Sequence, residues 1–386
     1  MFNRIRKVIR EPNAPIETPF YLFDELLLEK NYRILNSILG DTNCRFSIAY
    51  SIKTNPLESI VLKLKELGAL AEVTSTSELQ LAERCHFDEI IFNGIYKTDA
   101  EMIYAAKIGA TIVLDGYNQI SRISKIATTI ENKIKVGIRI SSFPILNDNG
   151  TRFGIYATEP ELNQIALDLV SVPNIDLCCL HMHLGTNIGD PGLYQQALER
   201  LYNIGIIMEN VGACICYYDL GGGMPTCMDY NWRQTFCNGI NSIQGITSDP
   251  NKTLMIEAGR ALVESAGFVV TRVVDIRKRV DGAGEDVVVD VGTNSILGAK
   301  HGITHQFCGI KTYDIGSRYK YRLAGPLCHA DDIVSESYEI GVAIDIGDLL
   351  LITGVGAYDF STSYEFSRDF PGVYLLDIQG NLISIR

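Results

Sequence analysis

The sequence lacks the features that would place it in a membrane or on a polyanion. No run approaches the roughly 18 consecutive apolar residues that a spanning helix needs. There is no Lys/Arg cluster, and a formal net charge of −12 argues against nucleic acid or an anionic lipid surface as partner. Short repeats, low-complexity tracts and linkers rich in Gly, Ser or Pro are also missing, which excludes repeat arrays and domains on flexible tethers. The opening stretch MFNRIRKVIREP is basic but has no apolar h-region and no small-residue cleavage site. We therefore expect no signal peptide, and a cytoplasmic protein whose ten cysteines stay reduced. No two cysteines are spaced C-x-x-C; Cys178-Cys179 and Cys214-x-Cys216 come nearest. That spacing argues against a zinc site, and most of the cysteines read as small core residues.

What is present is ample core material: 46% of the 386 residues are apolar, and a chain this long suits two domains. From about residue 45 to residue 260 one rhythm repeats, a short apolar run followed by a turn and a helical pattern. The runs are FSIAY (46–50), AEVTS (71–75), EIIFNG (89–94), TIVLD (111–115), KVGIRIS (135–141), LCCLHMHLG (177–185), CYYDLGGG (216–223) and TLMIEAG (253–259). Segments such as PLESIVLKLKELG (56–68) and PELNQIALDLV (160–170) read as the helices between them. Eight strands alternating with helices predict an α/β fold, a (β/α)8 TIM barrel over residues 25–265, with an open doubly wound sheet as the rival. After Gly267 the runs FVVTRVVDIRKRV, DVVVDV, VAIDIGDLLLIT and GVYLLDI are Val/Ile-rich with little helix between them. They predict a mostly β domain over 266–386, which residues 1–24 join.

Barrel chemistry sits on the loops after the strands' C-terminal ends. The unusual residues fall there: Lys53 after the first run, Thr74 and Ser75 closing the second, Asn93 the third, Arg139 near the end of the fifth and His183 at the end of the sixth. Gly221, Gly222 and Gly223 follow the seventh run, and Glu257, Ala258, Gly259 and Arg260 the eighth. Three successive glycines let backbone N–H groups approach an anion, and barrel phosphate sites are frequently built from the loops after strands seven and eight. Arg260 adds a countercharge. A phosphate at one side of the rim and a lysine at another suggest a phosphorylated aldehyde held as a Schiff base.

The ordered motifs YSIKTN, EVTSTSEL, HMHLGT, DLGGGMP, IEAGR, AGPLC and GAY resemble those of the fold-type III pyridoxal-phosphate-dependent decarboxylases. That family includes diaminopimelate, ornithine and arginine decarboxylases and shares its barrel plus β domain with alanine racemase. The resemblance runs from TPFYLFD (18–24) to GAY (356–358). It implies pyridoxal 5′-phosphate held by Lys53 as an aldimine, with His183 stacked on the ring, Thr186 nearby and Arg139 among the cofactor contacts. Gly221 to Gly223 and Gly259-Arg260 would hold the phosphate, capped by Tyr358. Glu257 would face the pyridine nitrogen, where a carboxylate favours a quinonoid intermediate and racemases carry arginine. Cys328 would enter from the partner subunit of a homodimer and protonate the carbanion.

The substrate side departs from the family. No arginine follows VDVGTNS (289–295) within ILGAKHGITHQF, and no aspartate lies between Asp290 and Asp314. The sequence after Cys328 is His-Ala-Asp-Asp, which makes His329, Asp331 and Asp332 candidate substrate residues. These departures imply an amino-acid substrate other than those of the housekeeping enzymes, free, conjugated or carrier-bound. Rival readings are an amino-acid racemase, an inactive regulatory relative, and a metal hydrolase built on His181-Met182-His183. The other histidines (His86, His301, His305, His329) do not fall at barrel strand ends, so no metal is expected.

Overall fold

A computed structural model describes residues 2–10, 17–147, 151–298, 305–309, 319–340 and 343–386. The chain divides into two compact units, Asn31–Ala261 and Met1–Lys30 with Leu262–Arg386. The helix Glu25–Gly40 carries the chain from one to the other.

After β1 (Phe20–Asp24), which belongs to the second unit, eight strands form the first unit: β2 (Arg45–Ser51), β3 (Leu70–Val73), β4 (Ile90–Asn93), β5 (Thr111–Leu114), β6 (Ile134–Arg139), β7 (Ile175–His181), β8 (Tyr217–Asp219) and β9 (Thr253–Ala258). Each pairs in parallel with the next, and β9 returns to β2 through Arg45↔Thr253 to Tyr50↔Ala258, closing the barrel. The open-sheet alternative is thereby excluded. Inward-facing Ala49, Ile91, Val113 and Met255 fill the interior, so it is packed rather than hollow. The helices start where the local chemistry directs: Thr98 and Thr158 cap theirs in reciprocal boxes with Glu101 and Glu161. Gly68, at φ +102°, takes the left-handed turn just past the helix Glu58–Glu66. No helix among the described residues is long and apolar enough to cross a membrane.

The second unit is a nine-stranded sheet. Its strands beyond β1 are β10 (Gly267–Lys278), β11 (Glu285–Val289), β12 (Gln306–Gly309), β13 (Tyr319–Ala324), β14 (Ile333–Ile340), β15 (Leu349–Thr353), β16 (Gly372–Leu376) and β17 (Leu382–Ser384). Residues 343–347, AIDIG, part of a run expected to be a strand, are not in one: the strand begins only at Leu349. The N-terminal residues fall in this unit, where Phe2–Arg10 forms a helix. Its Ile5 and Val8 pack with Phe20, Leu22, Phe268, Val270 and Leu351, while Arg4 pairs with Asp24 at 2.8 Å. Of the ten cysteines five are buried; the rest, Cys328 among them, are partly or largely exposed, so the core role holds for about half.

Leu351 is wholly buried in this core and paired on both edges of β15. Leu351→Ala is expected to destabilise the chain by about 3 kcal/mol in denaturant unfolding, through lost transfer energy plus a cavity; a change below ~1 kcal/mol is incompatible with this packing.

Candidate active site

Closure of the barrel gathers polar side chains from the C-terminal ends of its strands into a buried group. Glu72, on β3, is completely buried, and Lys53 donates to its Oε2 at 2.5 Å from the short 3-10 turn Ile52–Thr54 after β2. Ser51 donates to the same oxygen. Burial, partly offset by Lys53, lifts the Glu72 carboxyl to about 7, so it exchanges a proton near neutrality. Across the mouth, Asn93 Nδ2 on β4 donates to both oxygens of Glu257 (3.0 and 3.2 Å) and lies 2.9 Å from His181 Nε2. His181 Nε2 lies 3.2 Å from Glu257 Oε2. Burial would raise the Glu257 carboxyl, but His181, hydrogen-bonded to it, then Lys53 and Asn93, hold it below the usual carboxylate range. Glu257 is 5% exposed, and these neighbours favour its ionised form.

The glycines behave as a close-approach turn. Gly221 and Gly223 have φ of +63° and +92°. A Cβ on Gly222 would lie 2.6 Å from the Glu257 carbonyl oxygen. The turn is laced to its neighbours: Glu257 N–H donates to Gly221 O (2.8 Å) and Ile188 N–H to Gly223 O (2.9 Å). Gly222 N–H donates to His183 Nδ1 at 3.2 Å, which leaves the proton of a neutral imidazole on Nε2. Burial, with His181 beside it, lowers the His183 pKa to about 3. Gly259 is small for a different reason: a Cβ there would run into Thr54 Oγ1.

The structure thus brings Lys53, His183, Gly221, Gly222, Gly223, Glu257, Ala258, Gly259 and Arg260 into one unit, with Arg260 and Ala258 buried and Thr186 exposed. Arg139 is committed to Asp115 (2.9 Å) and to the Phe153 ring, and Asp115 also accepts Gly154 N–H. A cofactor contact must therefore share its guanidinium. Cys328, His329, Asp331, Asp332 and Tyr358 belong to the other unit. Cys328, His329 and Asp331 are exposed, and Tyr358 is half-buried at φ +71°.

Asp332 corrects the sequence reading. It is 3% exposed and accepts from Thr293 N–H (2.7 Å), Thr293 Oγ1–H (2.9 Å) and Leu327 N–H (2.8 Å). With those bonds it clamps the GTNS and AGPLC segments together, which leaves no role for it in contacting substrate. His301 lies outside the described residues.

Sequence reasoning overlooked Glu72, Asp219 and Asp115. An acid within or closing a short apolar barrel strand is the signal that would have found them. One ligand-type atom each from His181, Asp219 and Glu257 lie within 4.8 Å of one another. The metal-hydrolase reading lacked such acids, and the structure supplies them to His181. Asn93 nevertheless aims an N–H donor at Glu257, where a cation needs lone pairs. His183, its Nδ1 occupied by Gly222, is not a member of the group.

The donor set suits pyridoxal phosphate: a primary amine, an ionised acid for a ring nitrogen, a neutral imidazole for a ring face, and a glycine turn with arginine for a phosphate. The buried Asn93 Oδ1 and His181 Nδ1 also have no partner among the described residues, as expected of a polar site built for an additional group.

Comparison with known proteins agrees. The family described as "Pyridoxal-dependent decarboxylase, pyridoxal binding domain" matches residues 28–264. A diaminopimelate decarboxylase of Archaeoglobus fulgidus is 25% identical, over 94% of this chain and 88% of that protein. The one of Zymomonas mobilis is 27% identical, over 95% and 89%. A crystal structure of diaminopimelate decarboxylase from M. jannaschi superposes with TM-score 0.87 at 22% identity, covering 96% of this chain and 89% of that one.

Because the folded His183 stays neutral while an unfolded imidazole protonates near 6.5, stability is expected to fall as pH drops from 6.5 toward 3. Glu72 acts in the opposite sense, favouring the folded chain as pH drops from about 7 to 4.5. Denaturant midpoints of the cofactor-free full chain between pH 6.5 and 4 should therefore decline less in His183→Asn than in the parent. Equal declines would show that His183 does not titrate in this way.

Proposed function

We propose, from the premise that this chain belongs to the pyridoxal-dependent decarboxylase family, that it removes the α-carboxylate of an amino acid or of a conjugated or carrier-bound amino acid. The observation that carries this reading is the buried Glu257, hydrogen-bonded by Asn93 and His181, at the same barrel mouth as Lys53. When bound, pyridoxal phosphate supplies the electron sink for the pair left as CO2 departs. Lys53 contributes the amine that anchors the aldehyde, and Glu72 accepts its proton. Glu257 holds a proton on the ring nitrogen, as a racemase arginine would not. The neutral imidazole of His183 offers a flat face to the ring, with Thr186 beside it. Gly221 to Gly223, Gly259, Arg260 and Tyr358 bind the phosphate. Cys328, delivered by the partner subunit of a cytoplasmic homodimer, returns a proton to the α-carbon.

The substrate is set apart from diaminopimelate by the missing arginine after VDVGTNS, and from ornithine by the missing aspartate between Asp290 and Asp314. His329 and Asp331, exposed beside Cys328, are the residues we assign to substrate contact.

The purified holoprotein is expected to absorb near ~420 nm, a band that borohydride bleaches while fixing the cofactor to Lys53. Lys53→Ala should lose that band and at least about a thousandfold in CO2 release. Cofactor binding without a lysine-dependent band would overturn the assignment. Measuring CO2 release across ornithine, lysine, diaminopimelate, glutamate and conjugated amino acids tests the substrate reading, which fails if diaminopimelate is turned over best.

In a second experiment, Cys328→Ala should keep the band yet lower kcat by about a hundredfold or more. Unchanged kinetics would remove Cys328 from the mechanism.

A further inference from the structure

Asp219 closes β8 immediately before the glycine turn and is completely buried. Its Oδ1 accepts Gly221 N–H at 2.8 Å. Its Oδ2 has no donor among the described residues. The groups facing it are Glu257, with one carboxyl oxygen in the same 4.8 Å cluster, and the ring of His181. Glu72 acts from β3, the Cys179 thiol from β7, and the Arg139–Asp115 pair lies beyond His181.

Two buried carboxyl groups this close cannot both ionise, because each would desolvate and repel the other. One of them must carry a proton. Glu257 is served by the Asn93 amide and by His181, with Lys53 acting from farther off. Asp219 is served by one backbone N–H. The proton belongs on the poorer-served group, and an O–H on Oδ2 directed at Glu257 gives that orphaned atom a partner.

We propose that Asp219 is a neutral carboxylic acid donating to Glu257, a positioning residue that fixes at once the single negative charge of the mouth and the set of the glycine turn. Burial first, then the charge of Glu257, drives its carboxyl far above the usual range, in agreement with the geometry. With Asp219 neutral, one anion rather than two faces a bound ring nitrogen. The hydrogen bond also lowers the basicity of Glu257, which favours leaving the shared proton on the ring. This consequence for the ring rests on the cofactor reading above; the protonation state does not.

Infrared spectra of the full chain, with and without cofactor, test the proposal directly. The parent at neutral pH should show the carbonyl stretch of a buried protonated carboxyl, shifted in D2O and absent from Asp219→Asn. No such band in the parent, or one that survives Asp219→Asn unchanged and so belongs to Glu72, overturns the proposal. Asn supplies the same donor and acceptor, so Asp219→Asn should hold pyridoxal phosphate within about threefold of the parent, whereas Asp219→Ala should lose about tenfold or more. Asn falling as far as Ala would mean that Asp219 works as an anion, and overturns it. Should Asp219→Asn fail to fold, Glu257→Gln decides: its amide donates to Asp219, the acid ionises and the band disappears; a persisting band overturns the proposal. A parent that binds no pyridoxal phosphate would sink the cofactor reading and leave the infrared result standing.

Discussion

The buried carboxylate of Glu257 constrains the residues around it. A carboxylate withdrawn from water costs several kcal/mol unless other groups replace its solvation. Here the replacements come from separate strands: the Asn93 amide from β4, the His181 ring from β7 and, at longer range, the Lys53 ammonium after β2. These positions are up to 204 residues apart in the chain (257 − 53). A closed parallel barrel makes them neighbours because every strand ends at the same rim. The fold is in this sense the device that keeps Glu257 ionised.

The same charge is connected to the glycine turn. Glu257 donates its backbone N–H to Gly221 O, Gly222 packs against its carbonyl oxygen, and Gly222 N–H fixes the tautomer of His183. Glu257, His183 and the glycine turn therefore form one hydrogen-bonded body, so that a shift of one moves the others. Glu72 stands apart. Its carboxyl, lifted to about 7 by burial against the pull of Lys53, with Glu257 adding to the rise, suits proton exchange more than fixed charge. Two acids at one mouth thus differ in role because their donors differ.

Much of this was legible in the sequence, for identifiable reasons. Eight apolar runs at regular spacing predicted the barrel, and the observed strands begin or end within a few residues of those runs. Lys53, His183 and Glu257 were visible because each is a polar residue at the end of an apolar run. Glu72 and Asp219 sit within such runs, where an acid looks solvent-facing. Only barrel closure decides that its side chain points inward. Asp331 and Asp332 are indistinguishable in sequence, yet one is exposed and the other satisfies three buried donors, since adjacent residues leave the backbone in different directions. The helix Phe2–Arg10 carries its two buried anchors, Ile5 and Val8, at helical spacing, but four apolar residues in nine make too short a pattern without the sheet they pack on.

The division of labour between the two units bears on how such a chain changes substrate. In the proposed reading, the groups that anchor the cofactor and decide which bond breaks lie within Asn31–Ala261, cross-linked by buried hydrogen bonds. Tyr358 is the one proposed cofactor contact outside it. The residues assigned to proton return and substrate contact, Cys328, His329 and Asp331, lie on an exposed turn of the other unit. That turn is held from beneath by Asp332, whose bonds to Thr293 and Leu327 use backbone and buried groups rather than the exposed side chains. Substitution at His329 or Asp331 thus leaves both the clamp and the charge network intact. A chain built this way can exchange one distal substrate group for another at little cost in stability, whereas a change at Asn93, His181 or Glu257 disturbs the buried charge on which the chemistry rests.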